Sequence, residues 1–330
     1  MVIKMNKGTK KVTMQDIADI VGVSKMTISK CFQGNADISQ EMKNKIMSVA
    51  KEIGYVYSKK TKTHITVLAP STFLDSNEEF YSGLFKRLNE SSTIRNIVLN
   101  LIVVKTIDEQ EIINHHSFDS VDGIIILGQL PRSFVEQIVS FNIPTICVDF
   151  IYRNIELDTI TSNNFNASYN LTSYLIDHGH REIGFIGKLN STISINDRYL
   201  GYYKALMENN IKLNEKYLIE DRNDYGEISD IVLPKKLPTA FVCNNDHIAY
   251  LLIEKLKSMN IKVPEDISVV GFDDVIYSIL SNPKITTARV KRKYMAELAL
   301  DLIERRIKSK NAEIRNITVE CKLIERDSVK

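Results

Sequence analysis

The sequence predicts a small all-α head followed by a two-lobed α/β core with parallel sheets. Three observations carry this reading. Over the first 55 positions, apolar residues recur at helical spacing in three short runs separated by Gly or Ser. From residue 65 onward, short β-branched strands alternate with helical patterns. A length of 330 residues leaves room for two or three domains.

Composition narrows the class. Hydrophobic residues make up 44% and charged residues 25%, an ordinary globular balance that excludes collagen-like and mostly disordered chains. No apolar stretch approaches the ~20 residues of a bilayer span. Residues Met1 to Lys11 are basic without a following apolar segment, so no secretory signal is expected. Cys31, Cys147, Cys243 and Cys321 are widely separated and read as free thiols of a cytoplasmic protein. The net charge of +2 hides an asymmetry. Residues 1–63 hold twelve Lys against five Asp/Glu, and the remainder is net acidic. A basic head on an acidic body suits a polyanionic partner.

The head elements follow in order. Thr13 caps a helix in which Ile17, Ala18 and Val21 form one stripe, and Gly22 ends it. Ser24 starts a second helix, Lys25 to Phe32, with Ile28 and Cys31 facing the first. Small Ala18 at the crossing, Gly22 at the turn and Ile28 as the lock make a helix-turn-helix. Ser39 caps a third helix carrying Met42, Ile46, Val49, Ala50 and Ile53, and Gly54 ends it. The second helix is the one suited to the major groove. Lys25, Met26, Ser29 and Lys30 are placed to reach base edges, where Lys donates to guanine and Met touches a thymine methyl. Thr13, Ser24 and Thr27 suit phosphate oxygens. The alternative is a helical bundle with no nucleic-acid role.

The run "TMQDIADIVGVSKMTISKCFQGNADISQEMKNKIMSVAKEIGY" resembles the DNA-binding head of the LacI/GalR (lactose-repressor) family from Val12 to Tyr55. The resemblance implies that Lys25, Met26 and Lys30 read bases, and Tyr55, which closes the matching segment, is also expected among the DNA-binding residues. Lys30 stands where the family commonly has Arg and lacks the planar fork, which implies an altered operator.

The core strands are Ile65–Ala69, Ile97–Val104, Gly123–Leu127, Thr145–Val148, Ile183–Ile186, Ala240–Cys243 and Ile267–Phe272. Helical patterns lie between them at Glu78–Asn89, Ser133–Phe141, Asn166–His178, Arg198–Asn209, His247–Met259 and Lys291–Ile307. Buried strands alternating with helices make parallel sheets covered on both faces. Ligands of such sheets sit beyond the strands' carboxyl ends. Ser71, Asp149, Asn245 and Asp273 follow strands there, and Arg198 is expected to open a helix.

The family resemblance extends through "HGHREIGFIG", "DRYLGY", "NND", "VPEDISVVGFDD" and "NPKITTARV". It implies a core similar to periplasmic sugar-binding proteins, an effector between two lobes, and a homodimer. Carried over by position, Arg198, Asn245 and Asp273 match effector-binding residues. Asp149 matches a less constant cleft Asp, and Tyr225 a ligand-stacking aromatic; Ser71 and Phe80 are first-lobe assignments. Other roles stay open: an Arg198–Asp273 structural ion pair, a helix cap for Asn245, and packing for Tyr225.

The implied organisation is a head over residues 1–55, a short basic linker over 56–64, and a core over 65–330. Lobe 1 takes about 65–160 and 291–317, and lobe 2 about 161–290 and 318–330. The linker lacks the family's Pro, its Ala-Arg pair and its wedging Leu, and it is shorter. Lys59, Lys60 and Lys62 are expected to bind phosphates, with a passive basic linker as the alternative. No nucleotide-loop, nucleophile-elbow or metalloprotease motif occurs, and His115, His116, His178 and His180 lack partners at ligand spacing. No metal or cofactor is expected. The reading is a cytoplasmic repressor of double-stranded operator DNA, controlled by a sugar-like effector. The rivals are a solute-binding protein, an α/β enzyme acting on a sugar or nucleoside, and a regulator sensing a purine or a phosphoprotein.

Overall fold

The computed structural model describes residues 12–32, 38–55, 62–71, 79–105, 118–224 and 226–330. The chain divides into two compact units, Met1–Lys62 and Thr63–Lys330. Lys59, Lys60 and Tyr225 lie outside the described residues.

The first unit holds α1 (Met14–Val21), α2 (Lys25–Phe32) and α3 (Gln40–Glu52). Ile17, Ala18, Ile28, Cys31, Ile46 and Ala50 form its core, each less than a tenth exposed. Thr13 and Asp16 make a reciprocal capping box at α1. Gly22 ends α1 at φ +81° and donates its N–H to the Ala18 carbonyl at 2.9 Å. A side chain there would be strained, so this glycine sets the sharp turn into α2. Ser24 caps α2, accepting from Thr27 N at 3.1 Å.

The second unit contains two sheets. The first is built from β1 (Thr63–Pro70), β2 (Ile97–Val104), β3 (Gly123–Leu127), β4 (Thr145–Val148), β5 (Asp158–Ser162) and β11 (Asn316–Val319), in the order β11-β5-β4-β3-β1-β2. Its pairings are parallel, with Val67 of β1 opposite Leu101 of β2 and Ile125 of β3. The second sheet is built from β6 (Ile183–Ile186), β7 (Leu218–Ile219), β8 (Ala240–Cys243), β9 (Ser268–Asp273), β10 (Thr286–Arg289) and β12 (Lys322–Ile324), in the order β12-β10-β9-β8-β6-β7. Only β12 runs antiparallel among these described pairings.

Helices cover both sheets. Lobe 1 carries α4 (Glu79–Ile94) and α5 (Arg132–Ser140). Lobe 2 carries α6 (Asn164–Asp177), α7 (Ile193–Glu208), α8 (Asp246–Ser258) and the short α9 (Tyr277–Leu280). The chain crosses between lobes near residue 163, at 290–291 and at 320–321. Thus α10 (Arg292–Lys308) follows a lobe 2 strand yet packs on α4, β3, β4 and β5 of lobe 1. Among the described residues, no helix is long and apolar enough to cross a membrane.

The structure differs from the sequence expectation at identifiable places. β1 begins at Thr63, so Thr63 and His64 belong to a strand rather than the linker; Thr63 pairs opposite Ile97. β5 was not anticipated because DTITS is polar. Its Asp158 is nonetheless fully buried, held by Arg306 at 2.6 Å and by Arg315 N at 2.7 Å. Arg198 does not open a helix. α7 starts at Ile193, where Thr192 accepts from Ile195 N at 3.1 Å, and Arg198 lies in its second turn. Asp273 is the last residue of β9 rather than its successor.

Candidate functional site

The outward face of α2 is polar and accessible. Lys25 and Lys30 are exposed, Ser29 is half-buried, and Met26 is 69% exposed despite its apolar side chain. A thioether left in water on a helix whose other face is fully packed is free to meet a partner. The hydroxyls assigned to phosphates are partly committed. The Thr13 hydroxyl donates to Asp16 Oδ2 at 2.7 Å, and the Ser24 and Thr27 hydroxyls lie 2.9 Å apart within the α2 cap. Tyr55 is half-buried with its ring 5.6 Å from that of Phe32, so it packs the end of the head core. Lys62 is exposed.

A second site lies between the lobes of the second unit, as a cleft of about 680 Å³ at the carboxyl ends of the strands. Ser71 and Phe80 line it from lobe 1 together with Asp149, and Arg198, Asn245 and Asp273 line it from lobe 2. The structure therefore gathers all the described effector candidates into one cavity. Gly226, the neighbour of Tyr225, lines it as well.

Arg198 is held from four directions. Its Nε donates to Asn164 Oδ1 at 2.8 Å, and Nη1 donates to the Asn244 carbonyl at 2.6 Å. Its guanidinium carbon sits 3.7 Å over the Phe272 ring, a cation–π contact. Nη2 lies 3.6 Å from Asp273 Oδ1, an ion pair too long for a hydrogen bond. Arg198 and Asp273 are thus an ion pair, yet Asp273 Oδ1 is a buried acceptor with no hydrogen-bond donor among the described residues.

Asp149 faces the same cleft from lobe 1, at φ +67°. Its Oδ2 accepts from the Tyr81 hydroxyl at 3.0 Å, and its Oδ1 likewise has no donor among the described residues. Burial pushes the Asp149 carboxyl up to about 7; the Asp273 carboxylate adds to this, while Arg198 and the Tyr81 hydrogen bond oppose it. Burial raises Asp273 too, against the pull of Arg198 and Arg292. Two buried carboxylates from opposite lobes each offer one unsatisfied oxygen, an arrangement that accepts hydroxyl donors from a ligand.

Asn245 caps α8, its Oδ1 accepting from Ile248 N at 2.9 Å. The cap uses only the carbonyl end, so the amide group remains a donor on the cleft wall. Three positioning residues escaped the sequence reading. Tyr81 orients Asp149, and Asn164 orients Arg198. Asp221, fully buried, accepts from Lys188 N at 2.9 Å, from Arg222 Nη2 at 2.8 Å and from the Asn244 side chain. It ties together the loops after β6, β7 and β8. No local motif marks these residues, although Asn244 stands within the conspicuous NND. Among the described residues, no group of three His, Cys, Asp or Glu could hold a metal ion.

Comparison with known proteins gives a family match in each of the two units. Residues 13–58 match the family described as "Bacterial regulatory proteins, lacI family". Residues 172–329 match the "Periplasmic binding protein-like domain". The transcriptional regulator RegA of Clostridium saccharobutylicum is 29% identical over 96% of this chain and 98% of its own length. The transcriptional repressor PurR of Histophilus somni is 27% identical over 96% of this chain and 99% of its own. Among solved structures, the regulator CelR in complex with cellobiose shares the fold. Its TM-score is 0.71 at 20% identity, covering 96% of this chain and 99% of that one.

Proposed function

We propose that this chain, whose residues 13–58 match the lacI family of bacterial regulatory proteins, is a member of that family and an effector-controlled transcriptional repressor. The head binds operator DNA through α2. Lys25, Met26, Ser29 and Lys30 contact base edges, and the Thr13, Ser24 and Thr27 region, with Lys59, Lys60 and Lys62, contacts the phosphate backbone. Two copies act as a homodimer in the cytoplasm, each head taking one half of a near-palindromic site. The cleft binds its ligand without turning it over.

One observation carries the ligand reading: Asp149 Oδ1 and Asp273 Oδ1, one from each lobe, are buried acceptors without donors among the described residues. A small polyhydroxylated molecule, a sugar or sugar derivative, supplies hydroxyls to both. Arg198 and the Asn245 amide meet its acceptor oxygens, and Phe80 and Tyr225 meet its apolar faces. Such a ligand touches both lobes at once and favours the lobe arrangement that satisfies both carboxylates. Its effect on operator affinity equals its differential affinity for the two arrangements.

Selection of chromosomal fragments by the purified full chain, against random competitor at moderate ionic strength, tests the DNA reading. Enrichment of a few near-palindromic fragments is expected; uniform recovery would refute it. A thermal-shift panel of sugars and nucleobases tests the ligand class, because a ligand that binds only the folded chain raises its melting temperature. A shift with nucleobases alone would replace the sugar reading by a purine one.

A further inference from the structure

We propose that a second recess, at one crossing between the lobes and separate from the cleft, binds a small phosphate-bearing ligand. The recess has a volume of about 470 Å³ and is bounded by α4, the end of β10 and the first turn of α10. Five cations line it: Arg87, Arg289, Lys291, Arg292 and Lys293. The carboxylates on its wall are Asp274 and Glu297. Both are already engaged. Asp274 pairs with Arg289 and with Arg326, each at 2.5 Å, and Glu297 stands 4.0 Å from Lys293. Arg87 pairs with Glu90 at 2.8 Å on its own helix. The recess therefore keeps an excess of positive charge.

The backbone adds to that excess. α10 spans seventeen residues and starts without a side-chain cap or an acidic residue in its first turn. Arg292 and Lys293 stand at its positive end instead, where helices ordinarily favour carboxylates. Cations gathered against a positive helix terminus repel one another, and a bound anion relieves that repulsion. Arg292 is already fixed, donating to the Glu79 carbonyl at 3.4 Å and to the Asp274 carbonyl at 3.2 Å. Three guanidinium groups, of Arg87, Arg289 and Arg292, line this one recess, and such groups suit the multiple acceptor oxygens and double charge of a phosphoryl group better than a single carboxylate. The volume suits a small molecule.

The site has a mechanical consequence. Arg87 belongs to α4 of lobe 1 and Arg289 to β10 of lobe 2, so an anion bound between them contacts both lobes. It is an input to the lobe arrangement that does not pass through the cleft.

The test uses inorganic phosphate as the probe on the full chain, with sodium chloride matched for ionic strength. At about 10 mM phosphate, the wild type is expected to melt about 3 °C higher than in chloride. The double variant Arg87→Gln/Lys291→Gln should lose most of that rise, while Arg198→Ala in the cleft should keep it. Phosphate also stabilises proteins by exclusion from their surface, so an equal rise in all three proteins would overturn the proposal. Loss in Arg198→Ala alone would place the anion in the cleft and overturn it too. Neither result bears on operator selection, so this site and the DNA reading fail separately.

Discussion

Replacing Asp149 by Asn should stabilise the protein, and by an amount that depends on pH. The carboxyl is buried in the cleft wall with one unpartnered oxygen and a second carboxylate, Asp273, nearby. Its ordinary value is 3.8 and its value in the folded chain is about 7. Between these values the native state holds a proton that the unfolded chain sheds, so stability falls as pH rises through this window and levels off above it. At about 1.36 kcal/mol per pH unit, the penalty reaches about 4 kcal/mol above neutrality. Asn removes the ionisation, keeps an oxygen to accept from Tyr81, and tolerates the φ of +67°. The gain of Asp149→Asn over wild type should therefore grow by roughly 2–3 kcal/mol between about pH 5 and pH 8. The assay is denaturant unfolding followed by circular dichroism, since the chain has no Trp. Comparing two pH values cancels any pH-independent packing change. A gain that stays constant with pH, or a loss that deepens at pH 8, would refute the electrostatic account of this carboxyl.

Other outcomes follow from the same geometry. Lys30→Ala should cost about 1–3 kcal/mol at one operator position and relax discrimination there; unchanged discrimination in a base-substitution series would remove Lys30 from the reading face. Arg198→Ala should abolish the thermal shift given by any sugar that stabilises the wild type, with operator affinity unchanged in a gel shift; a retained shift would misplace the pocket. Gly201→Ala should destabilise the second unit by about 1–3 kcal/mol, because a Cβ there would clash with the Phe165 carbonyl oxygen where α6 and α7 touch. A melting curve identical to wild type would show that this helix contact yields freely.

The legible parts of this chain are those whose physics is local. Ile17, Ala18, Val21 and Ile28 announce the head because a short helix must bury one stripe. GIIIL and AFVC announce central strands because only a doubly covered strand is apolar at every position. β5 stayed hidden because its burial rests on Arg306, 148 residues away from Asp158. The cleft was legible where a charged side chain ends or follows a strand, as with Asp273 and Asp149. It was illegible where one side chain orients another: Tyr81 reaches Asp149 across 68 residues, and Asn164 reaches Arg198 across 34. The start of α7 was misjudged because Thr192 to Asn196 carries little apolar periodicity, and its cap becomes visible only in three dimensions.

The claim on which the account rests is that α2 and the cleft are two ends of one equilibrium. Its most direct measurement is the affinity of the full chain for a selected chromosomal fragment, with and without a saturating stabilising ligand, at constant salt. The account predicts a change of about 5-fold to 150-fold that disappears in Arg198→Ala. Equal affinities in the presence and absence of a ligand demonstrably bound in the cleft would contradict it.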